Sequence, residues 1–349
     1  MLSPIQKEIV EQKGNLIVRA SAGTGKTHTM VSKIVYDIEH QHTHKVVAAI
    51  TFTIKAANEI KNRLTIDTTS HFIGTNNSFA IEEIIKPFMK DVFGMEYKLD
   101  MSTDYSVKVN TFEEGLERIK NEQIICSYVN NKNNFIFQLA LAILKKSKAC
   151  QLYLQAKYFK IYVDEYQDCD KDMHTLFMYI CERLKIDTFV VGDEKQSIYM
   201  WRGAYPKAFI SIWYRQDFSK KFMRDNFRSC QQIQNYSNLL CAETRELYKA
   251  VDDLSSIIMV CATTDNWADS VLPYIDSEKK CALLRYKNAN AEAGANELTD
   301  RNIEFIYVPQ TPIADITTET AWLYNAVAKF FILPKYSAFY SGSVVKTKI

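Results

Sequence analysis

A chain of 349 residues, 47% apolar and 24% charged, has the make-up of an ordinary globular protein and the length of about two domains. Its net charge of +2 argues against a strongly basic nucleic-acid coat, so any DNA contact has to come from a local patch. The 8 cysteines are scattered without a C-x-x-C pair, which argues against a disulfide frame or zinc ribbon and for reduced cytoplasmic thiols, and no apolar run is long enough to span a membrane.

Residues 3–12 predict a short helix, with Ser3 as N-cap and Pro4 in the first turn; Gly14 stops it. Residues 15–19 read as a short buried strand. Ala20 to Thr27 then reads A-x-x-x-x-G-K-T, and a helical pattern runs from Lys26 to Glu39. Strand, Gly-rich loop and helix in that order are the phosphate-binding arrangement, although the strict pattern opens with Gly where this chain has Ala20. Gly23 and Gly25 permit the tight turn. Lys26 supplies a cation for the β- and γ-phosphates, and the Thr27 hydroxyl can hold Mg²⁺. His40, His42 and His44 alternate at the end of this helix; a solvated turn is favoured over a metal site, since no Cys or acidic partner adjoins them.

Residues 45–52 are a continuous apolar run, hence a buried parallel strand. A helix over 54–64 and an extended piece over 71–73 follow. Repeated strand–helix alternation means an α/β domain with a parallel sheet. Residues 79–158 read as a mostly helical insertion. It holds an amphipathic helix, a polar irregular stretch over 97–133 with no clear βαβ signal, and a strong helix over 134–147. The sheet resumes with strands over 159–163 and 188–191, separated by a helix over 173–184. Near Phe218 a second α/β unit is expected. Its helices would span 231–247, 289–297 and 317–331, and its strands 257–261, 281–284 and 303–307. The expected domains are therefore 1–78 and 159–217 for the first, 79–158 for the insertion and 218–349 for a partial second.

Chemistry concentrates at strand ends. Asp164 and Glu165 follow an apolar strand in VDEYQD; beside a phosphate loop, Asp164 can orient Mg²⁺ and Glu165 can take a proton from the attacking water. VGDEKQSIYMWRGA follows the next strand. Gln196 is a neutral donor that can feel the γ-phosphate. Tyr199, Met200, Trp201 and Arg202 form an aromatic–basic cluster of the kind that holds single-stranded nucleic acid by stacking. Arg228, in NFRS, can neutralise charge on the transferred phosphoryl group.

Gln6, ASAGTGKT, TFTIKAANEI, IGTNNSF, VDEYQD, VGDEKQSIYMWRGA and NFRS occur in this order. Over about residues 1–230 the series resembles superfamily 1 helicases of the UvrD/Rep/PcrA type, and ALLRYKNANAEAGANELTDRNIEFIY continues it. TNNSFAIEEIIKPFMKDVFG, the compact insertion and VDEYQDCDKDMHTLFMYIC further resemble the helicase-like subunits of Gabija antiphage systems. The resemblance implies a phosphate-loop NTPase of two RecA-like parallel-sheet domains, the second incomplete at its C-terminus. ATP and Mg²⁺ would sit in the cleft. Gln6 would read the adenine edge and Phe227 would stack on the base. Ala20, Ser21, Ala22, Gly23, Thr24, Gly25, Lys26, Thr27 and His28 would surround the phosphates. Thr27 and Asp164 would hold the metal, with Glu165 as base and Gln196 and Arg228 as γ-phosphate sensors. Phe52, Thr75, Asn77, Tyr199, Trp201 and Arg202 would line the DNA track. The Gabija resemblance implies an OLD-family-type nuclease partner, GajA, in a cytoplasmic hetero-oligomer.

Departures accompany the resemblance. His28 replaces the Arg common after G-K-T. Asn76 and Asn77 replace an aromatic–His pair that touches DNA. Neither T-x-H-x-x-K-G-L-E nor Y-V-A-x-T-R-A is present, as in a truncated or a reduced helicase. Two functions are therefore expected to compete: a DNA-dependent ATPase motor, and a regulatory subunit that senses nucleotide and docks on a nuclease while unwinding little. A small-molecule kinase has no need of Trp201 and Arg202 beside Gln196.

Overall fold

The computed structural model describes residues 2–303 except 201–202, 241, 253–254, 264–265, 277–278 and 280. The chain divides into two compact units, Met1–Tyr248 and Lys249–Ile349.

In the first unit, α1 (Pro4–Glu11) leads to β1 (Leu16–Ala20), α2 (Lys26–Glu39), β2 (Val46–Thr51), α3 (Ile54–Arg63) and β3 (Phe72–Thr75). Ser3 caps α1 through a full capping box with Gln6, and Thr53 caps α3 by accepting from Ala56 N at 3.1 Å. The insertion holds α4 (Asn76–Phe79), a π-helical turn (Ala80–Ile85) and α5 (Lys86–Phe93). It continues with β4 (Ser102–Val109), α6 (Phe112–Glu122), β5 (Ile124–Tyr128), α7 (Phe135–Lys146) and α8 (Lys148–Lys157). The chain returns through β6 (Tyr158–Val163), α9 (Lys171–Leu184), β7 (Asp187–Gly192), α10 (Lys207–Trp213), β8 (Ser219–Met223) and α11 (Gln231–Leu239).

The main sheet has six strands in the order β3-β2-β6-β7-β1-β8, every pair parallel. Both faces are covered, so alternate residues of each strand enter different cores. Leu16, Val18, Val47, Ala49, Tyr162, Phe189 and Val191 pack with Ile9, Met30 and Ile34 of α1 and α2. Ile17, Ala48, Ile50, Ile161, Val163 and Val190 pack on the other face with the insertion, α9 and α10. The α/β phosphate-loop fold with its parallel sheet is the one expected.

Three expectations are corrected. The stretch read as irregular contains β4 and β5, which pair in parallel around α6 and so form a small βαβ unit; β4 is largely exposed, so its sequence lacks an apolar run. Residues 219–223, expected to open the second unit, form β8 on the outer edge of β1. In the second unit α12 (Trp267–Val271) and α13 (Asn288–Thr299) form, but 257–261 and 281–284 are not strands. A strand needs a neighbour to satisfy its backbone; those segments have no ladder partner among the described residues, and Met259 and Leu284 are exposed. The strand expected at 303–307 and the helix at 317–331 lie essentially outside the described residues.

Candidate active site

Because β6, β7, β1 and β8 are consecutive and parallel, the loops after their carboxyl ends lie side by side. That edge is where open α/β sheets bind ligands. It brings together residues 164–168, 193–197, 20–25 and 224–229.

The loop after β1 is held from several sides. Ser21 N donates to Met223 O at 3.1 Å, and Thr24 Oγ1 donates to Ser21 O at 2.8 Å. Gly23 and Gly25 take positive φ of 75° and 81°, as the tight turn requires. Buried Gln6 donates from Nε2 to Thr24 O at 3.1 Å and accepts at Oε1 from Ser3 N at 2.9 Å. Both ends of its amide are thus engaged as a strut between α1 and the loop. Thr29 N is the first amide of α2 with a helical acceptor, Gly25 O at 2.9 Å. The N–H groups of Lys26, Thr27 and His28 precede it and have no acceptor within the helix, and α2 has no side-chain cap. Unfilled amides at a helix N-terminus after a Gly turn make an anion cradle.

Facing the cradle, Lys26 Nζ lies 3.8 Å from Glu165 Oε2. Glu165 sits in the left-handed region at φ 48°, a strained backbone for a residue with a Cβ, and its N–H donates to Asp164 Oδ1 at 2.9 Å. Asp164 is buried. Desolvation, reinforced by the Glu165 charge, pushes its carboxyl up to about 7. Burial and Glu165 likewise push Asp168 up to about 6; its Oδ1 is buried without a hydrogen-bond partner among the described residues. Gln167 Nε2 donates to Glu165 Oε2 at 2.8 Å, and Gln167 Oε1 accepts from Asp193 N at 3.0 Å. Asp193 Oδ2 in turn accepts from Gln196 Nε2 at 2.7 Å.

The NFRS segment closes on the same loop. Phe227 N donates to Gly23 O at 2.9 Å. Asn226 Oδ1 accepts from Arg228 N at 2.8 Å and Ser229 N at 3.1 Å. The Phe227 ring is 65% exposed, free to meet a flat ligand. All of this lies within the first unit.

The residues expected on a DNA track are less uniform. Phe52 follows β2, and Thr75 ends β3 with Asn77 just beyond it, on the same carboxyl edge. Phe52 packs partly against the larger core. Thr75 caps α4 through Ser78 N at 3.2 Å, and Asn77 Nδ2 donates to Tyr105 Oη at 3.1 Å. Both are engaged inside the protein. Tyr199 O accepts from Ala204 N at 3.2 Å. Trp201 and Arg202 lie outside the described residues. His40 stacks on Tyr36 with ring centroids 3.9 Å apart, and no group of three or more His, Cys, Asp or Glu side chains placed to hold a metal exists among the described residues. Reading the sequence gave no role to Gln167, Asp168, Asp193 or Asn226. The available signal was polar residues directly after strands, where the backbone is buried and side chains must complete the hydrogen bonding.

The model of the UvrD/REP helicase N-terminal domain matches residues 2–123 and 109–219. The chain is 43% identical over 344 residues to Gabija protein GajB of Bacillus cereus (strain VD045), covering 96% of this chain and 69% of that one. It is 26% identical over 341 residues to the ATP-dependent DNA helicase Rep of Buchnera aphidicola subsp. Acyrthosiphon pisum, covering 81% of this chain and 52% of that one. It is 27% identical over 292 residues to the ATP-dependent DNA helicase PcrA of Staphylococcus aureus (strain Mu50), covering 67% and 39%. The chain thus spans about half or less of the length of the Rep and PcrA relatives. By the phosphate loop, the acidic pair after β6 and these matches, the chain belongs to the UvrD/Rep helicase family and, within it, groups with Gabija protein GajB.

Proposed function

We propose that this chain is an ATP-hydrolysing, DNA-binding motor of a Gabija-type defence complex. The observation that carries the reading is the facing of the Gly23–Gly25 cradle and Lys26 by Glu165, with Asn226–Arg228 docked on the loop. In this reading the amides of Lys26, Thr27 and His28 and the Lys26 ammonium bind the phosphates. Phe227 covers the base. Glu165 accepts the proton of the attacking water. Gln196 and Arg228 answer to the γ-phosphate, and Gln6 sets the loop.

The residues fit a divalent cation. Asp164 and Asp168 are carboxylates whose proton affinity is raised by burial, and the Lys26 charge, which reaches both, offsets this only in part. A harder, doubly charged partner would relieve that imbalance. Thr27 and Asp164 would hold Mg²⁺, which when bound neutralises charge shared between the β- and γ-phosphates.

DNA would run along the carboxyl edge past Phe52 and the Tyr199–Arg202 segment, stacking on the aromatic rings. A nuclease of OLD-family type is the proposed partner, and the cytoplasm the proposed compartment. No helix among the described residues is long and apolar enough to cross a membrane.

A second reading is a nucleotide-sensing subunit that activates its nuclease without unwinding. One observation favours it: Asn77, where a DNA-touching residue is expected, is tied to Tyr105. The two separate in one assay. ATP turnover and strand separation are measured on the protein alone and with its co-purifying nuclease. Unwinding by the protein alone supports the motor. Activity only with the nuclease supports the sensor. In either case Lys26→Ala should abolish turnover. Glu165→Gln should keep ATP binding and slow hydrolysis by about 10²–10⁴-fold. Undiminished turnover in both variants would sink the site assignment.

A further inference from the structure

Gln167 is 1% exposed, in the turn that follows β6. A buried amide has to satisfy both its ends. One end donates to Glu165 Oε2 at 2.8 Å. The other accepts from Asp193 N at 3.0 Å. The Gln167 carbonyl accepts from Ser197 Oγ at 3.2 Å, so the main chain is tied to the same neighbouring loop. That loop carries Gln196, whose side chain is held by Asp193 Oδ2 at 2.7 Å. The approach is close enough to demand a glycine opposite: a Cβ on Gly192 would stand 2.6 Å from Gln167 Oε1. Glu165 itself has left-handed backbone and a half-exposed side chain. Its other partners among the described residues include its own neighbour Asp164, through the backbone, and Lys26 at 3.8 Å. A 3.8 Å ion pair fixes a carboxylate's direction weakly. A 2.8 Å bond from a buried amide fixes it well.

We infer that Gln167 is the positioning residue for Glu165, holding its carboxylate toward the phosphate loop and tying that orientation, through Asp193, to the loop that bears Gln196. This deepens the proposed function and rests on Glu165 being the general base. Geometry of this kind acts through the base and not on ATP affinity. The base loses its aim when the amide is removed, while the cradle of Gly23–Thr27 stays intact.

The test is ATP turnover by the full-length protein under conditions where the unmodified protein hydrolyses ATP, with single-stranded DNA and, if needed, its nuclease partner. Gln167→Met, neutral and of similar length, should lower kcat by about 10–100-fold, the usual loss for a supporting group. Affinity for a non-hydrolysable ATP analogue should change by less than about threefold, because binding uses other groups. In a Glu165→Gln background, Gln167→Met should lower the residual single-turnover rate by less than about twofold, since a residue acting through another has nothing further to lose. Gln167→Leu, likewise neutral and without a donor to Glu165, should show the same loss of kcat and serves if the Met variant does not fold. An unchanged kcat in the folded variant, or an equal further loss in the Glu165→Gln background, overturns the inference. If Glu165→Gln itself leaves turnover intact, or the unmodified protein hydrolyses no ATP, the functional reading fails and takes this one with it. If Glu165→Gln stops turnover and Gln167→Met does not slow it, only the inference fails.

Discussion

A methyl group added at Gly23 would stand 2.3 Å from Asn226 Oδ1 and 3.0 Å from Arg228 Cβ. It would also have to occupy φ 75°, which costs an L-residue about 1–2 kcal/mol. Asn226 cannot move freely, because it organises its own turn by accepting from Arg228 N and Ser229 N. Gly14 isolates the two effects. It has the same φ of 75°, and an added Cβ there meets nothing within 4 Å. Gly14→Ala and Gly23→Ala should therefore lose similar amounts from backbone strain, about 1–2 kcal/mol in urea unfolding. Gly23→Ala should in addition weaken ATP-analogue binding by about tenfold or more, as the clash pushes Phe227 and Arg228 off the loop. Equal nucleotide affinity in the two variants would show that the NFRS segment does not need its place on Gly23. The glycine was readable from the motif. The tight turn that asks for it was readable too; the second demand, from Asn226, was not, because Asn226 is about two hundred positions away in the chain and only the pairing of β8 with β1 brings it near.

At the scale of elements, what the sequence revealed followed burial. β1, β2, β6 and β7 are apolar, buried on both faces and visible as runs. β8, SKKFM, and β4, STDYSVKV, are half-exposed, so their polar residues read as loop. The phosphate loop, acidic pair and NFRS were legible because their spacing is chemical. Their supports were not. Lys33 illustrates this: with Asp37 it has the i,i+4 spacing of a surface ion pair. It is instead fully buried, donating to Val10 O at 3.1 Å, Gln12 O at 2.6 Å and Asp37 Oδ1 at 3.2 Å. It thereby pins the end of α1 to α2, and α1 carries the Gln6 strut. Lys33→Met should cost about 3 kcal/mol, since the α1 carbonyls lose their donor while Asp37 keeps Lys160 at 3.0 Å. Burial, with Lys160 second, lowers the Lys33 ammonium to about 8 from 10.5. The unfolded chain then holds this proton more tightly than the folded one. The contribution of Lys33 to stability is complete above pH 10.5 and falls as pH drops to about 8. Urea midpoints of the parent should rise relative to those of Lys33→Met across that window. A constant difference would mean that Lys33 is not buried as a charge.

For the whole molecule, the decisive fact is where the chain is cut. The phosphate loop, Asp164, Glu165, Gln167, Gln196 and the Asn226–Arg228 turn all fall within Met1–Tyr248. β8 fills the outer edge of β1, and the two cores on either face of the sheet draw on residues of this unit alone. The second unit has its own packing: Arg301 clamps Asp269 at 2.6 and 2.9 Å, and Arg285 stacks over Trp267 at 4.4 Å. A fragment of residues 1–248 should therefore unfold in one cooperative transition. It should bind an ATP analogue within about threefold of the full chain, because the groups proposed to face the phosphates are all retained. Hydrolysis should fall no further than binding, since Glu165, Gln196 and Arg228 are retained as well. Exposed Ile233, Tyr236, Leu239 and Leu240 on and just after α11 predict that the fragment associates at high concentration, so binding is measured dilute, by fluorescence anisotropy. Full turnover by the fragment would show that the first unit is a self-sufficient ATPase. Loss of binding together with turnover would show that nucleotide is held by residues beyond Tyr248.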